Sequence, residues 1–279
     1  MGWRLPGDGT YNTPFLDMPL PSIDVTRDGD IATVALNNPD KLNALTIAMW
    51  RELAGVMRDL SADDAVRCIV LRGAGKEAFA AGADLEEFVT ERATLAQART
   101  YHHELVYGVL KAVGECRHPT VAMIQGACVG GGLEIACNCD LRICGESGRF
   151  GVPINRLGFA IAYDELAGLL ALAGRAVAAE ILLEGRVWNA DEAFAKGLLT
   201  RVVPDSEVER EAYATARRIA DGAPLVARWH KQFIRRLTIS APPLTAAERD
   251  ANFDYLKTAD YRQGIDAFLN KRKPRFTGR

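Results

Sequence analysis

Residues 125–134 read Gln125-Gly126-Ala127-Cys128-Val129-Gly130-Gly131-Gly132-Leu133-Glu134. The run ends a strand, exposes bare glycine backbone and opens a helix beside one carboxylate. Three successive glycines remove every side chain between main-chain N–H groups and a ligand oxygen, and the first N–H groups of a helix lack internal partners and carry partial positive charge. An enolate or carboxylate oxygen is welcome there. A dinucleotide loop would need Gly-x-Gly-x-x-Gly, and a nucleoside-triphosphate loop would end in Gly-Lys-Ser/Thr. Neither pattern is present, and Glu134 would repel a phosphate. The bland alternative is a glycine turn that lets a helix pack closely on its strand.

A second segment repeats this logic. Cys68-Ile69-Val70-Leu71 reads as a buried strand, Arg72 to Glu77 as a glycine-broken turn, and Phe79-Ala80-Ala81-Gly82-Ala83-Asp84-Leu85 as small residues leading into a helix that continues through Phe88. Two strand-to-helix junctions, each free of bulky side chains, can point one N–H apiece at a single carbonyl oxygen. Thioester enolate chemistry needs such a pair, because donors must already be in place where the negative charge develops.

With Asn38-Pro39-Asp40-Lys41-Leu42-Asn43-Ala44-Leu45 near the start, Cys139-Asp140 and Phe150-Gly151-Val152-Pro153 in the middle, and Ala267-Phe268-Leu269-Asn270-Lys271-Arg272-Lys273-Pro274-Arg275-Phe276 at the end, the chain resembles the crotonase (enoyl-CoA hydratase/isomerase) superfamily. The resemblance covers nearly the whole chain. It implies an α/β fold in which ββα units wind into a spiral followed by a C-terminal helical region. It implies an acyl-CoA substrate, an oxyanion hole from the N–H groups of Ala83 and Gly131, and Glu134 as the acid/base. It puts Lys41, Leu42, Ala81, Asp84, Leu85, Gly130, Pro153, Ile154 and Leu157 along the coenzyme A and acyl path, and has Phe268 and Lys271 reaching a neighbour's coenzyme A in a trimer or a dimer of trimers. Taken by themselves, Lys271-Arg272-Lys273 read first as a solvated basic terminus.

One position departs from the pattern. Family hydratases carry a second glutamate directly after Phe-Gly-x-Pro, where this chain has Ile154. An isoleucine moves no proton, and a positioned acid or base contributes roughly a hundredfold to ten-thousandfold. Three routes around the gap stay open. Glu134 acts alone; Asp164 or Glu165 replaces the missing acid; or the scaffold serves a double-bond shift, a decarboxylation or a lyase reaction. Asp164 and Glu165 also suit the solvent-facing start of a helix. On this reading Ile154→Glu is expected to raise hydration of crotonyl-CoA.

Reversible hydration of a 2-enoyl-CoA is the leading expectation, with single-glutamate isomerase or lyase chemistry behind it. From another class comes a catalytically weak acyl-CoA-binding subunit. A serine hydrolase is remote, since no Gly-x-Ser-x-Gly turn surrounds any serine. Tyr101, His102, His103, Tyr107, Phe159 and Tyr163 are candidates for an acyl pocket or for ordinary core and surface positions.

The 279 residues carry a net charge of -2, which argues against nucleic acid as a partner. No metal or redox cofactor is expected, because Cys137-Asn138-Cys139 has the wrong spacing for a zinc pair and no histidine near it. The six cysteines read as small buried hydrophobes. With no secretory signal at Met1-Gly2-Trp3-Arg4-Leu5-Pro6 and no run of about eighteen apolar residues, the expected place is the cytoplasm, away from membranes.

The expected organisation is an irregular leader over 1–21, a spiral core over 22–204 and a helical oligomerisation region over 205–279. Alternation predicts a hairpin of 22–26 with 31–36, and further strands over 68–71, 120–124, 141–144 and 200–203. Periodicity and caps predict a helix over 47–60 behind Thr46, and another from Asn189 to Lys196-Gly197. Beyond Pro204, helices are predicted over 206–220, 224–236, 244–255 and 261–270, and their apolar faces, including Phe253, Leu256 and Phe268, need cover from partner subunits or the core.

Overall fold

The computed structural model describes residues 20–238, 245–251 and 253–274. The expected leader, apart from its last two residues, and the end of the basic C-terminal motif lie outside them. In chain order the strands are β1 (Ser22–Asp28), β2 (Ile31–Asn37), β3 (Cys68–Gly73), β4 (Ala78–Ala80), β5 (Thr120–Ile124), β6 (Ala127–Val129), β7 (Leu141–Gly145), β8 (Arg149–Gly151), β9 (Trp188–Asn189) and β10 (Arg201–Val203). The helices are α1 (Ile47–Ala62), α2 (Phe88–Glu91), α3 (Leu95–Arg99), α4 (Tyr107–Glu115), α5 (Gly131–Asn138), α6 (Tyr163–Glu184), α7 (Ala190–Ala195), α8 (Val208–Ala220), α9 (Pro224–Thr238), α10 (Ala246–Ala251) and α11 (Ala259–Leu269).

Two sheets organise the chain. The larger runs β1-β2-β3-β5-β7-β10, parallel except for the first hairpin; the smaller runs β4-β6-β8-β9, parallel until its last pair. The chain visits them by turns, a strand in the large sheet, a strand in the small one, then helix: β3-β4-α2 to α4, β5-β6-α5, β7-β8-α6. These turns form the expected spiral. The short strands of the small sheet escape sequence reading because three residues give no alternation to detect, so β4 sits where the sequence suggested a lead into a helix.

The pleat divides the large sheet between two cores. Ile69 and Leu71 of β3 face the main core with Leu53 and Met57 of α1, while Cys68 and Val70 face Val208, Ala212, Ala216 and Ala220 of α8. Being covered on both faces explains why β5 is apolar and buried from end to end. Helix α8, assigned from sequence to the C-terminal region, therefore packs on the sheet rather than standing apart. The C-terminal aromatics also find cover within the chain: Phe253, Tyr255 and Tyr261 are buried with Ala98, and Leu256 and Phe159 pack against them. The helix expected over 244–255 is instead α10 followed by a 3-10 turn at Asp254–Lys257.

Thr46 caps α1 by accepting from Met49 N–H, and Asn189 caps α7 by accepting from Glu192 N–H. One helix, α6, meets the length and mean hydropathy (1.9) of a membrane span, although Arg175 and Glu180 interrupt its apolar run. Its backbone leaves the helical region at Gly174 (φ 76, ψ 174), so the apolar stretch is two shorter helices across a kink. All six cysteines are buried and unpaired.

Candidate active site

Strands β4 and β6 are parallel neighbours, so the segments that follow them leave from the same edge of the small sheet. Gly82 then lies against Gly130 and Gly131: a Cβ at Gly82 would sit 3.2 Å from Val129 O and 3.6 Å from Gly131 N. Ala83 makes a parallel bridge with Leu45, using Leu45 N–H to Gly82 O (2.7 Å) and Asp84 N–H to Leu45 O (2.9 Å). In that pattern the bridged residue's own N–H points away from its partner, and Gly131 is the first residue of α5, whose N–H has no intrahelical acceptor. Among the described residues neither Ala83 N–H nor Gly131 N–H donates to a main-chain carbonyl.

Each glycine of the triplet has its own reason. Gly130 adopts φ 51, ψ -124, which a side chain disfavours. A Cβ at Gly131 would approach Trp50 Cζ2 to 2.8 Å, and one at Gly132 would approach Ala80 O to 2.4 Å. The turn over 38–45 is fixed from within. Buried Asn43 accepts from Asn38 N–H (3.0 Å) and donates to Ala78 O (2.8 Å), while Asn38 Nδ2 donates to Ala44 O (2.7 Å). That turn presents Leu42 O to Ala81 N–H at 2.9 Å and so holds the approach to β4's end in register.

These edges border a cavity of about 550 Å³, whose walls include Lys41, Ala81, Gly82, Ala83, Asp84, Leu85, Gly130, Gly131, Glu134, Pro153, Ile154 and Leu157. Five buried polar side chains line it: Asp84, Arg92, His102, Glu134 and Glu165. Between α3 and α4 the helix widens into a π turn over Thr100–Val106, and Tyr101, His102 and Val106 face the cavity from it. His102 Nδ1 hydrogen-bonds the Glu165 carboxylate, whose other oxygen accepts from Ala162 N–H at 3.3 Å. His102 Nε2 faces the Tyr255 hydroxyl at 3.5 Å, and that hydroxyl accepts from Arg92 Nη2.

The two glutamates are pushed apart. Burial drives the Glu134 carboxyl well above its ordinary value, and the neighbouring Glu165 charge adds to this against the pull of Arg92. Burial raises Glu165 too, but the His102 ring, Arg92 and Ala162 N–H together outweigh it and leave its value lowered. Burial also lowers His102, against Glu165. The two directions favour the proton on Glu134 over Glu165, and since an ionised carboxylate only accepts, the bond to Glu165 is donated by His102 Nδ1–H.

Most residues singled out from sequence come together here, and a few do not. Leu42 and Lys271 are not in the wall, and Leu42 acts through its carbonyl. Lys41 Nζ is tied to Asp84 (2.8 Å) and Glu86 (2.7 Å), which raises its pKa. Asp164 turns away from the cavity to pair with Arg249, facing His103 Nδ1 at 3.6 Å. Phe268 lines the chain's own cavity, whereas the resemblance put it at a neighbour's site. Of the suggested acyl-pocket residues, Tyr101, His102 and Phe159 line the cavity; His103, Tyr107 and Tyr163 do not. The thiols are inert, as burial pushes Cys137 and Cys139 up to about 12 and Cys128 well above its ordinary value. Sequence reading missed Arg92 altogether.

The enoyl-CoA hydratase/isomerase family model matches residues 26–279. The chain belongs to that family. Among its crotonase relatives, a probable enoyl-CoA hydratase of Mycobacterium bovis is 35% identical over 94% of this chain and 100% of the relative. A putative enoyl-CoA hydratase of Thermus thermophilus is 37% identical over 89% of this chain and 98% of the relative. Of solved structures, an enoyl-CoA hydratase/carnithine racemase from Magnetospirillum magneticum superposes with a TM-score of 0.77 at 50% identity, covering 97% of this chain and 100% of that one. A methylmalonyl-CoA decarboxylase superposes with a TM-score of 0.82 at 26% identity, covering 92% and 98%. The fold is that of the crotonases, and the chain is an enzyme of the hydratase/isomerase family.

Proposed function

We propose that this enzyme hydrates a 2-enoyl-CoA reversibly, with Glu165 serving in place of the glutamate missing at Ile154. The observation that carries this reading is a pair of carboxyl groups in one cavity, shifted to opposite sides of the ordinary carboxyl value and close to two main-chain N–H groups without main-chain acceptors. Such a pair is the arrangement acid/base chemistry needs near neutral pH. The thioester oxygen sits between Ala83 N–H and Gly131 N–H. Ionised Glu165, oriented by His102, takes a proton from water as its oxygen bonds to Cβ. The C=C electron pair moves onto the thioester carbonyl as an enolate, which the two N–H groups stabilise. Protonated Glu134 then delivers its proton to Cα and the carbonyl re-forms, giving a 3-hydroxyacyl-CoA.

The scheme draws on thioester and water alone, with no resident metal or redox group. We further infer a homotrimer or a dimer of trimers in the cytoplasm. Leu183 on α6, Phe194 on α7 and Trp229 and Phe233 on α9 are all more than half exposed, which suits a surface shared between copies. Six unpaired thiols suit a reducing compartment. A membrane role is not part of the proposal.

Loss of enoyl-thioester absorbance with crotonyl-CoA, and identification of the product, tests the reaction. A 3-hydroxyacyl product supports it; a product with only a shifted double bond overturns it. Decarboxylation is the second reading, favoured by the superposition on methylmalonyl-CoA decarboxylase, and release of CO2 from a carboxylated acyl-CoA would select it.

A further inference from the structure

Arg92 is 1% exposed, and it lines the cavity. Four aromatic rings cage it: its carbon is 4.4 Å from the centroids of both Phe88 and Phe159, 5.5 Å from Tyr255 and 5.6 Å from Tyr101. Its hydrogen bond among the described residues is from Nη2 to the Tyr255 hydroxyl, and its Nε is buried without a partner. Tyr255 is not part of the cavity wall, so that bond points away from the opening. No carboxylate contacts Arg92 among the described residues; Glu134 and Glu165 act on it only through space. A buried cation left without a contacting anion is costly, and proteins ordinarily supply one. Here the cation lines the cavity with no contacting anion among the described residues, and a planar, two-oxygen anion is the partner a guanidinium pairs with best.

We propose that Arg92 binds a carboxylate at the far end of the substrate's acyl group, so that the enzyme acts on 2-enoyl-CoA thioesters of dicarboxylic acids. This deepens the hydration reading and rests on it for the reacting end of the substrate. The thioester oxygen lies at Ala83 and Gly131, the double bond beside Glu134 and Glu165, and the distal carboxylate at Arg92. An acyl group ending in a quaternary ammonium is the converse case: the aromatic faces that would receive it are already occupied by Arg92.

The test separates binding from chemistry. Three unreactive saturated thioesters are titrated calorimetrically against the full chain: glutaryl-CoA, its isostere ending in an isopropyl group, and trimethylammoniobutyryl-CoA. Glutaryl-CoA is expected to bind on the order of a hundredfold more tightly than the isopropyl isostere, with the cationic thioester weakest. In Arg92→Met the first two affinities converge. Equal or tighter binding of the isostere by the wild type overturns the proposal, as does a preference that survives Arg92→Met. If that variant does not fold, the wild-type comparison decides alone. Hydration is then followed with glutaconyl-CoA. A retained binding preference without hydration defeats the hydration reading and leaves the carboxylate site standing; hydration without the preference does the reverse.

Discussion

Helices α5 and α6 both open with a glutamate in their first turns, and both glutamates are buried in the same cavity wall, yet their acidities are shifted in opposite directions. Glu134 follows bare glycine backbone, and its carboxyl accepts no hydrogen bond from a described residue, so burial and its anionic neighbour favour its protonated form. Glu165 reaches back to Ala162 N–H in half of a capping box and is met by His102 from a helix far away in sequence, so its charge survives burial. Residue type and helix position do not set protonation state; the donors around each carboxylate do. The comparison also divides the labour, with the acid on the helix that opens at Gly131 and the base on α6.

The strongest way to break the comparison is to make each member permanently neutral. Glu134→Gln is expected to lower kcat/KM for enoyl-CoA hydration by about a thousandfold to ten-thousandfold, with acyl-CoA binding retained by calorimetry. Loss of less than tenfold would mean the proton reaches Cα from elsewhere. Glu165→Gln is expected to cost on the order of a hundredfold to a thousandfold, and the pH profile shows which limb it owns. The base must be ionised, so activity falls as pH drops through the Glu165 value, which lies below the ordinary 4.5. The acid must be protonated, so activity falls as pH rises through the Glu134 value, well above 4.5. The wild type should show a plateau between these two limbs. Glu165→Gln should lose the acid limb and Glu134→Gln the alkaline one; an unaltered acid limb in Glu165→Gln would remove Glu165 from the mechanism.

The two helix starts were unequally legible in the sequence. The α5 side is written locally, in three glycines and a glutamate within a single turn, matched by small residues at Ala81-Gly82-Ala83. The α6 side depends on contacts between distant residues. His102 meets Glu165 across 63 positions, turned inward by a π turn that no simple periodicity announces. Arg92 lies in the run Thr90-Glu91-Arg92-Ala93-Thr94, which reads as a solvated helix surface, and it is buried among Phe88, Tyr101, Phe159 and Tyr255, the last of them 163 residues away. The same holds for the architecture. The long buried strands of the large sheet were readable from composition and alternation, while the three-residue strands that aim Ala83 and Gly131 were not.

The oxyanion side of the comparison is sharpened at Gly131. In Gly131→Ala the new Cβ would press on the Trp50 ring at 2.8 Å, so the chain must shift where its N–H has to meet the thioester oxygen. The expected loss is about tenfold to a hundredfold in kcat, alongside a lower Tm from overpacking of about 1–3 kcal/mol. A fall in Tm with kcat unchanged would show that the amide is not part of the reaction.

The smallest effect asks whether the base can be moved back to where hydratases of the family carry a glutamate. From sequence, Ile154→Glu is expected to raise hydration. With Glu165 already ionised in the same cavity, that expectation reverses: a third carboxyl would be desolvated, would raise the values of both neighbours and would hold back ionisation of Glu165. Wild-type activity at neutral pH should therefore fall. In the Glu165→Gln background the repulsion is gone and the vacancy is real. There Ile154→Glu should restore about tenfold of the lost rate, short of full recovery because neither His102 nor Ala162 N–H is placed to hold the new carboxylate ionised. Its acid limb should lie at higher pH than that of the wild type, since nothing offsets the burial. Failure to restore any rate, with the double variant folded and binding acyl-CoA, would mean that the His102–Glu165 pair does more than supply a base, and would shift attention to its connection through Tyr255 to Arg92.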